Sequence, residues 1–168
     1  HPPSLRVDAR FNEIDVDAQL DTLGPDLIAE QPQLAAHAAR AQTSSKDYQK
    51  LLRAVFERWV ELEVPPSSLR SYSSYAQQYW QALGDAMAAG ERGATVAVFT
   101  SGGTIALLVA QVLGLAPQHA YTFYEPVFNA SITRLLYRPG RVSLSGFNEI
   151  AHLERSPEPE LQTLLSYR

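Results

Sequence analysis

The chain has 168 residues, a formal net charge of −4 and a mean hydropathy of −0.18, which fits an ordinary folded domain and excludes a disordered or membrane-spanning chain. A mildly acidic protein lacks the excess positive charge that displaces counterions from nucleic acid or anionic lipid, so neither is expected as a partner. The absence of cysteine excludes disulfides, thiolate metal sites and a cysteine nucleophile and fits a reducing cytoplasm, the location we expect.

His1-Pro2-Pro3-Ser4 carries neither the basic start nor the apolar stretch of a signal peptide, and without an initiator Met it reads as a trimmed or partial chain. Residues 5 to 14 alternate roughly between apolar and polar, which predicts a short strand running into a loop. Asp15 to about Leu23 reads as a short helix stopped by Gly24-Pro25. Residues 26 to 42, rich in Ala, Leu, Gln and Glu, predict a helix broken near Pro32. Thr43-Ser44-Ser45 then offers N-cap oxygens, with Asp47 three residues after Ser44. Tyr48, Leu51, Leu52, Val55, Phe56, Trp59, Val60 and Leu62 recur every three or four residues, the strongest amphipathic helix in the chain, ended by Val64-Pro65-Pro66. A second long helix covers about 70 to 89. Its stripe of Tyr72, Tyr75, Tyr79, Trp80, Leu83 and Met87 reads as core rather than as a ligand box.

Ala94-Thr95-Val96-Ala97-Val98-Phe99 is a continuous apolar, β-branched run, which predicts a parallel strand buried on both faces between helices. Thr100 to Thr104 turns the chain into a buried helix from Ile105 to Leu113, closed by Gly114. Residues 116 to 124 hold another helical turn. Residues 128 to 137 and 141 to 147, joined by Pro139-Gly140, predict a β-hairpin, and the tail beyond His152 contains Pro157 and Pro159.

Chemistry concentrates at residues 94 to 114, a strand, a glycine-rich turn and a helix. Such a turn aims backbone N–H groups and the positive end of a helix dipole at one point. Gly102 and Gly103 admit a close ligand, and Ser101 and Thr104 add hydroxyls, so the turn is a candidate anion or phosphate cradle. The same glycines also fit close strand–helix packing, and both readings stand at this point. The turn is neither a Walker A loop nor a nucleophile elbow. No His, Asp or Glu set has metal-ligand spacing, and neither a metal nor a cofactor is expected.

Val96 to Ile105, with Leu113-Gly114-Leu115 after it, resembles the second-histidine strand of the histidine phosphatase superfamily, also called phosphoglycerate mutase-like. The family pattern there is a hydrophobic strand, Thr-His-Gly-Gly and an apolar helix. Asn129 to Thr133 resembles the strand that follows. Phe147-Asn148-Glu149-Ile150-Ala151-His152-Leu153 resembles the last strand, and Arg10 to Asp15 resembles the segment carrying the acidic proton donor. The resemblance implies an α/β fold, a three-layer αβα sandwich around a mostly parallel sheet, with a helical insertion over about 26 to 90 and a C-terminal hairpin. It implies a single partial domain over 1–168 that lacks the first strands.

It also implies a function: phosphomonoester hydrolysis or phosphoryl transfer through a phosphohistidine. Glu13 matches the general acid, and Ser101, Gly102, Gly103 and Thr104 match the phosphate-binding turn. The family's nucleophile lies in Arg-His-Gly, which is absent; His1, His37, His119 and His152 stand in other contexts. The nucleophile is therefore expected from a segment outside this chain, and the chain alone is expected to be inactive. Ser101 stands where the family has its second His, and a serine hydroxyl donates one hydrogen bond without positive charge. That departure motivates the alternative, a degenerate relative that binds a phosphorylated ligand or a protein partner without chemistry. The expected partners are a phosphorylated small molecule and a second polypeptide segment, or another copy, that completes the sheet. His152 reads as structural, Asn129 and Asn148 as turn or backbone binders, and Arg134, Arg138 and Arg141 as a solvated face.

Overall fold

The structure, a computed structural model, describes residues 5–90, 93–155 and 166. In chain order it has α1 (Val16–Glu30), α2 (Gln33–Ala38), α3 (Ser45–Glu61), α4 (Tyr72–Ala88), α5 (Gly102–Val112), α6 (Tyr121–Tyr124), β1 (Ile132–Arg138), β2 (Arg141–Glu149) and α7 (Ala151–Glu154). Short 3-10 turns lie at Ala9–Phe11 and Pro117–His119.

The helices form where capping and periodicity agree. Ser44 caps α3 by accepting from the Asp47 N–H at 3.2 Å, and Leu51, Leu52, Val55, Phe56 and Trp59 bury one face of that helix. Ser71 caps α4 in the same way through the Ser74 N–H. The end of α5 is a Schellman motif. Gly114 takes φ +65°, its N–H reaches Gln111 O at 3.0 Å and the Leu115 N–H reaches Ala110 O at 2.9 Å.

α1 and α2 pack on α3, and α5 packs on α4 and α6. The core between them is aromatic. Trp59 lies edge-on to Phe56 at 5.4 Å, to Tyr72 at 5.6 Å and to Tyr75 at 5.9 Å, and Phe56 meets Tyr121 at 5.4 Å. Such pairs add about 0.5–1.5 kcal/mol each beyond the burial of area. Their polar tips are satisfied: Trp59 Nε1 donates to Arg70 O at 2.8 Å, and Tyr121 OH donates to Gln49 O at 3.1 Å.

Several elements differ from the sequence expectations. Residues 5 to 14 form no strand; the segment turns at Ala9–Phe11 because Asp8 accepts from the Arg10 N–H at 2.9 Å and starts a 3-10 turn. α1 does not stop at Gly24-Pro25 but runs to Glu30. Pro25 is exposed, and so is Asp21, whose carbonyl loses its helical partner, while Leu23 and Leu27 bury the opposite face. The break near Pro32 is as expected. Trp80 is not core: it is 41 % exposed, while Tyr72, Tyr75, Tyr79 and Leu83 are buried.

The largest difference is at 94–99, which forms no strand, parallel or otherwise. All six residues are exposed, Phe99 at 90 %. Among the described residues the sheet content is one antiparallel pair, β1 with β2, so no neighbour presents a free ladder to this segment. The three-layer parallel arrangement is therefore not formed among them. The hairpin itself forms, with Arg138 opposite Arg141 across Pro139-Gly140. Proline before a glycine at φ +73° is the chemistry of a type II turn. β1 begins at Ile132 rather than 128, and the register shifts near Arg134.

Candidate functional site

The loop from Asp8 to Asp15 is tied to α4 and α5 along its length. Arg10 bonds Asp8 at 2.7 Å and Asp85 at 2.6 Å, and its guanidinium holds the Asp8 carboxyl below the usual carboxylate range. From α4, Gln78 Nε2 donates to Arg10 O at 2.9 Å and Tyr79 OH donates to Asn12 O at 2.8 Å, while Tyr75 OH accepts from the Asp15 N–H at 3.2 Å. Thr100 Oγ1 donates to Phe11 O at 2.6 Å. Burial pushes the Tyr79 hydroxyl up to about 12, so it keeps its proton and donates across the ordinary pH range.

These ties carry Glu13 onto the N-terminus of α5. Its Oε1 accepts from the Ile14 N–H at 2.9 Å and its Oε2 accepts from the Gly103 N–H at 3.2 Å. A carboxylate at a helix N-terminus is favoured by the dipole, by about 0.3–1 kcal/mol. The contact needs glycine, because a Cβ at Gly103 would lie 2.1 Å from Glu13 Oε1 and 2.9 Å from Ile14 Cγ1. At Gly102 a Cβ would lie 3.3 Å from the Tyr124 ring and 3.7 Å from Val127 Cβ. Both glycines are buried. The glycines pack closely, but against the Glu13 loop and against Tyr124 and Val127 rather than against a strand, and the Gly103 N–H already holds an oxygen of an anion-forming group.

The structure thus brings Glu13 together with Gly103. Ser101 is the N-cap of α5, extended at φ −105°, half-buried, and its side chain makes no capping bond. Thr104 is fully buried, and its hydroxyl lies 3.3 Å from Asn12 O and 3.4 Å from Phe11 O, turned toward the Glu13 loop. His37 is paired with Asp47 at 2.6 Å, His119 lies beyond the far end of α5, and His152 is exposed on α7 beside buried Leu153; His1 lies outside the described residues. Asn148, at φ +55°, donates from Nδ2 to Pro126 O at 2.6 Å and accepts at Oδ1 from the Phe128 N–H at 2.9 Å, and Asn129 bonds Ser166. Arg134 pairs with Glu149 at 3.1 Å on the exposed hairpin, where Arg138 and Arg141 are also exposed. Among the described residues no His, Asp and Glu group could hold a metal ion, and no helix is long and apolar enough to cross a membrane.

A family model described as histidine phosphatase superfamily (branch 1) matches residues 3–150. The chain belongs to the histidine phosphatase superfamily. No significant match is found among the curated proteins or the solved structures. The matched region includes both the Glu13 loop and the glycine turn, and superfamily membership makes the fold α/β.

Sequence reading missed the residues that orient Glu13. Tyr75 and Tyr79 read only as an apolar stripe, and Arg10, Gln78 and Asp85 did not stand out. The available signal was chemical: a buried stripe of Tyr rather than Phe has hydroxyls that need partners.

Proposed function

We propose that this chain carries the proton donor and the phosphoryl-binding turn of a phosphomonoesterase or phosphotransferase, and that a histidine nucleophile from a segment outside the chain completes the site. The observation that supports this reading is the Glu13 carboxylate 3.2 Å from the Gly103 N–H. One main-chain donor at a helix N-terminus and one carboxyl group share a single point, two of the parts that cleavage of a phosphate ester uses.

In this reading a phosphoryl oxygen takes the Gly103 N–H, and the Gly102 N–H and Ser101 hydroxyl add donors. Glu13 gives up the seat and turns toward the ester oxygen. In its protonated form Glu13 is the general acid for the leaving group. A histidine nitrogen attacks phosphorus, the P–O ester bond breaks, and Glu13 passes its proton to the leaving oxygen. Water then attacks the phosphohistidine, its proton goes to the Glu13 carboxylate, and the N–P bond breaks to release phosphate. Thr104, turned to the Asn12 and Phe11 carbonyls, holds the Glu13 loop in place. Completion of the site by the nucleophile-bearing segment also supplies a strand neighbour for 94–99 and restores the three-layer parallel sheet.

The test is turnover of an aryl phosphate by a polypeptide that carries an Arg-His-Gly strand together with this chain. Glu13→Gln is expected to lower kcat by about 10²–10⁴, and the 168-residue chain alone is expected to show none. Full activity in Glu13→Gln overturns the assignment. Ser101 favours one second reading, a relative that binds phosphorylated ligands without chemistry; binding without turnover in the completed polypeptide would select it.

A further inference from the structure

The two glycines face different neighbours. Gly103 lies against Glu13, while Gly102 lies against Tyr124 and Val127. Those same two side chains line a cavity of about 240 Å³ together with Tyr48, Gln49, Leu52 and Glu125. The turn therefore separates the carboxyl group on one side from a cavity wall on the other by a single residue.

We propose that this cavity seats the organic part of the phosphomonoester, and that it selects a single ring bearing hydroxyl or cationic groups and no second negative charge. The inference rests on the reading of the glycine turn as the phosphoryl seat. Size sets the first limit, since pockets for drug-sized ligands span about 300–1,000 Å³ and this one lies below that range. The wall is aromatic and apolar: half-buried Tyr48 and Val127 lie with buried Tyr124 and Leu52, a lining that suits a ring.

Charge sets the second limit. Glu125 accepts hydrogen bonds and repels anions. Arg53, one turn along α3 from Gln49, is bonded to Glu57 at 3.0 Å, so that guanidinium already has a carboxylate partner. Gln49 has its amide oxygen 3.1 Å from Tyr121 OH and keeps its NH2 as a donor. A ring hydroxyl can accept from Gln49 and donate to Glu125, whereas a ring carboxylate meets Glu125 as a like charge.

The experiment is an NMR titration of the 168-residue chain, following the Gly103 amide and the Val127 methyls. The probes are inorganic phosphate, 4-(aminomethyl)phenyl phosphate and 4-carboxyphenyl phosphate. Phosphate is expected to shift Gly103 and leave Val127 unmoved, and both aryl phosphates to shift Gly103 and Val127. The aminomethyl compound is expected to bind about tenfold tighter than the carboxy compound, and Glu125→Gln to cut that preference below about threefold. Tyr48→Leu is expected to weaken both aryl phosphates without changing the affinity for phosphate. If Gly103 responds while Val127 stays still, the cavity assignment fails and the phosphoryl seat stands. If the two aryl compounds bind equally, the charge selection fails. If no probe reaches Gly103, both readings fall together.

Discussion

Two stretches rich in apolar and β-branched residues, 94–99 and 132–149, meet different fates in this molecule. The second folds on itself, because Pro139-Gly140 lets β1 and β2 exchange hydrogen bonds across a two-residue turn. The first has equal reason to be extended but no strand partner among the described residues, and it runs exposed from Ala94 to Phe99. A strand is a property of a pair: composition makes a segment ready for a sheet, and only a partner makes it one. The aromatic helical core shows the converse. Its buried residues all lie between Ile14 and Tyr124, none of them in 94–99.

Mutations should therefore divide along that line. The largest effect is expected in the core. Phe56 is fully buried against Trp59, Tyr121 and Tyr124, and Phe56→Ala is expected to cost about 3–5 kcal/mol, read from urea denaturation. Phe99→Ser in the isolated chain is expected to change stability by less than about 0.5 kcal/mol, since the ring is 90 % exposed. A large loss at Phe99 would mean that the segment already packs within this chain.

Gly103→Ala comes next. An added Cβ meets Glu13 Oε1 and the buried Ile14 side chain, so the carboxylate must swing off α5. A loss of about 1–2 kcal/mol is expected, and Glu13→Ala should recover part of it in the double variant. Additive losses would show that the two residues do not meet. Tyr79→Phe removes the bond to Asn12 O and is expected to cost about 1 kcal/mol, with faster amide exchange along 11–15.

The smallest effect is a pH dependence. Arg40, with Ser44 and His37, holds the Asp47 carboxyl well below the usual carboxylate range. A depressed folded-state pKa stabilises above the unfolded value of about 3.9 and is lost as pH falls through the folded value. Arg40→Ala should lower the thermal midpoint slightly at neutral pH and flatten its fall below about pH 4, the variant and the native chain converging at the acid end.

Where local rules decide, the sequence was legible. Ser44 as cap, the α3 stripe, Gly114 at the end of α5 and the Pro139-Gly140 hairpin all follow from short-range chemistry. α1 escaped because a proline on the wet face of a helix costs less than the burial of Leu23 and Leu27 returns. The meeting of Glu13 with Gly103, 90 positions apart, was available only through family resemblance, since no periodicity encodes it. The tyrosine hydroxyls that aim the loop were hidden inside an apolar pattern.

The central claim is that the N-terminus of α5 and Glu13 form one anion-responsive site. It is tested most directly by titrating inorganic phosphate into the chain while following the Gly102 and Gly103 amides, in the native sequence and in Glu13→Gln. The account expects both amides to shift and the variant to bind several-fold tighter, because the negative charge that repels a second anion from the seat is gone. Silent glycine amides, or an affinity unchanged by Glu13→Gln, would contradict it.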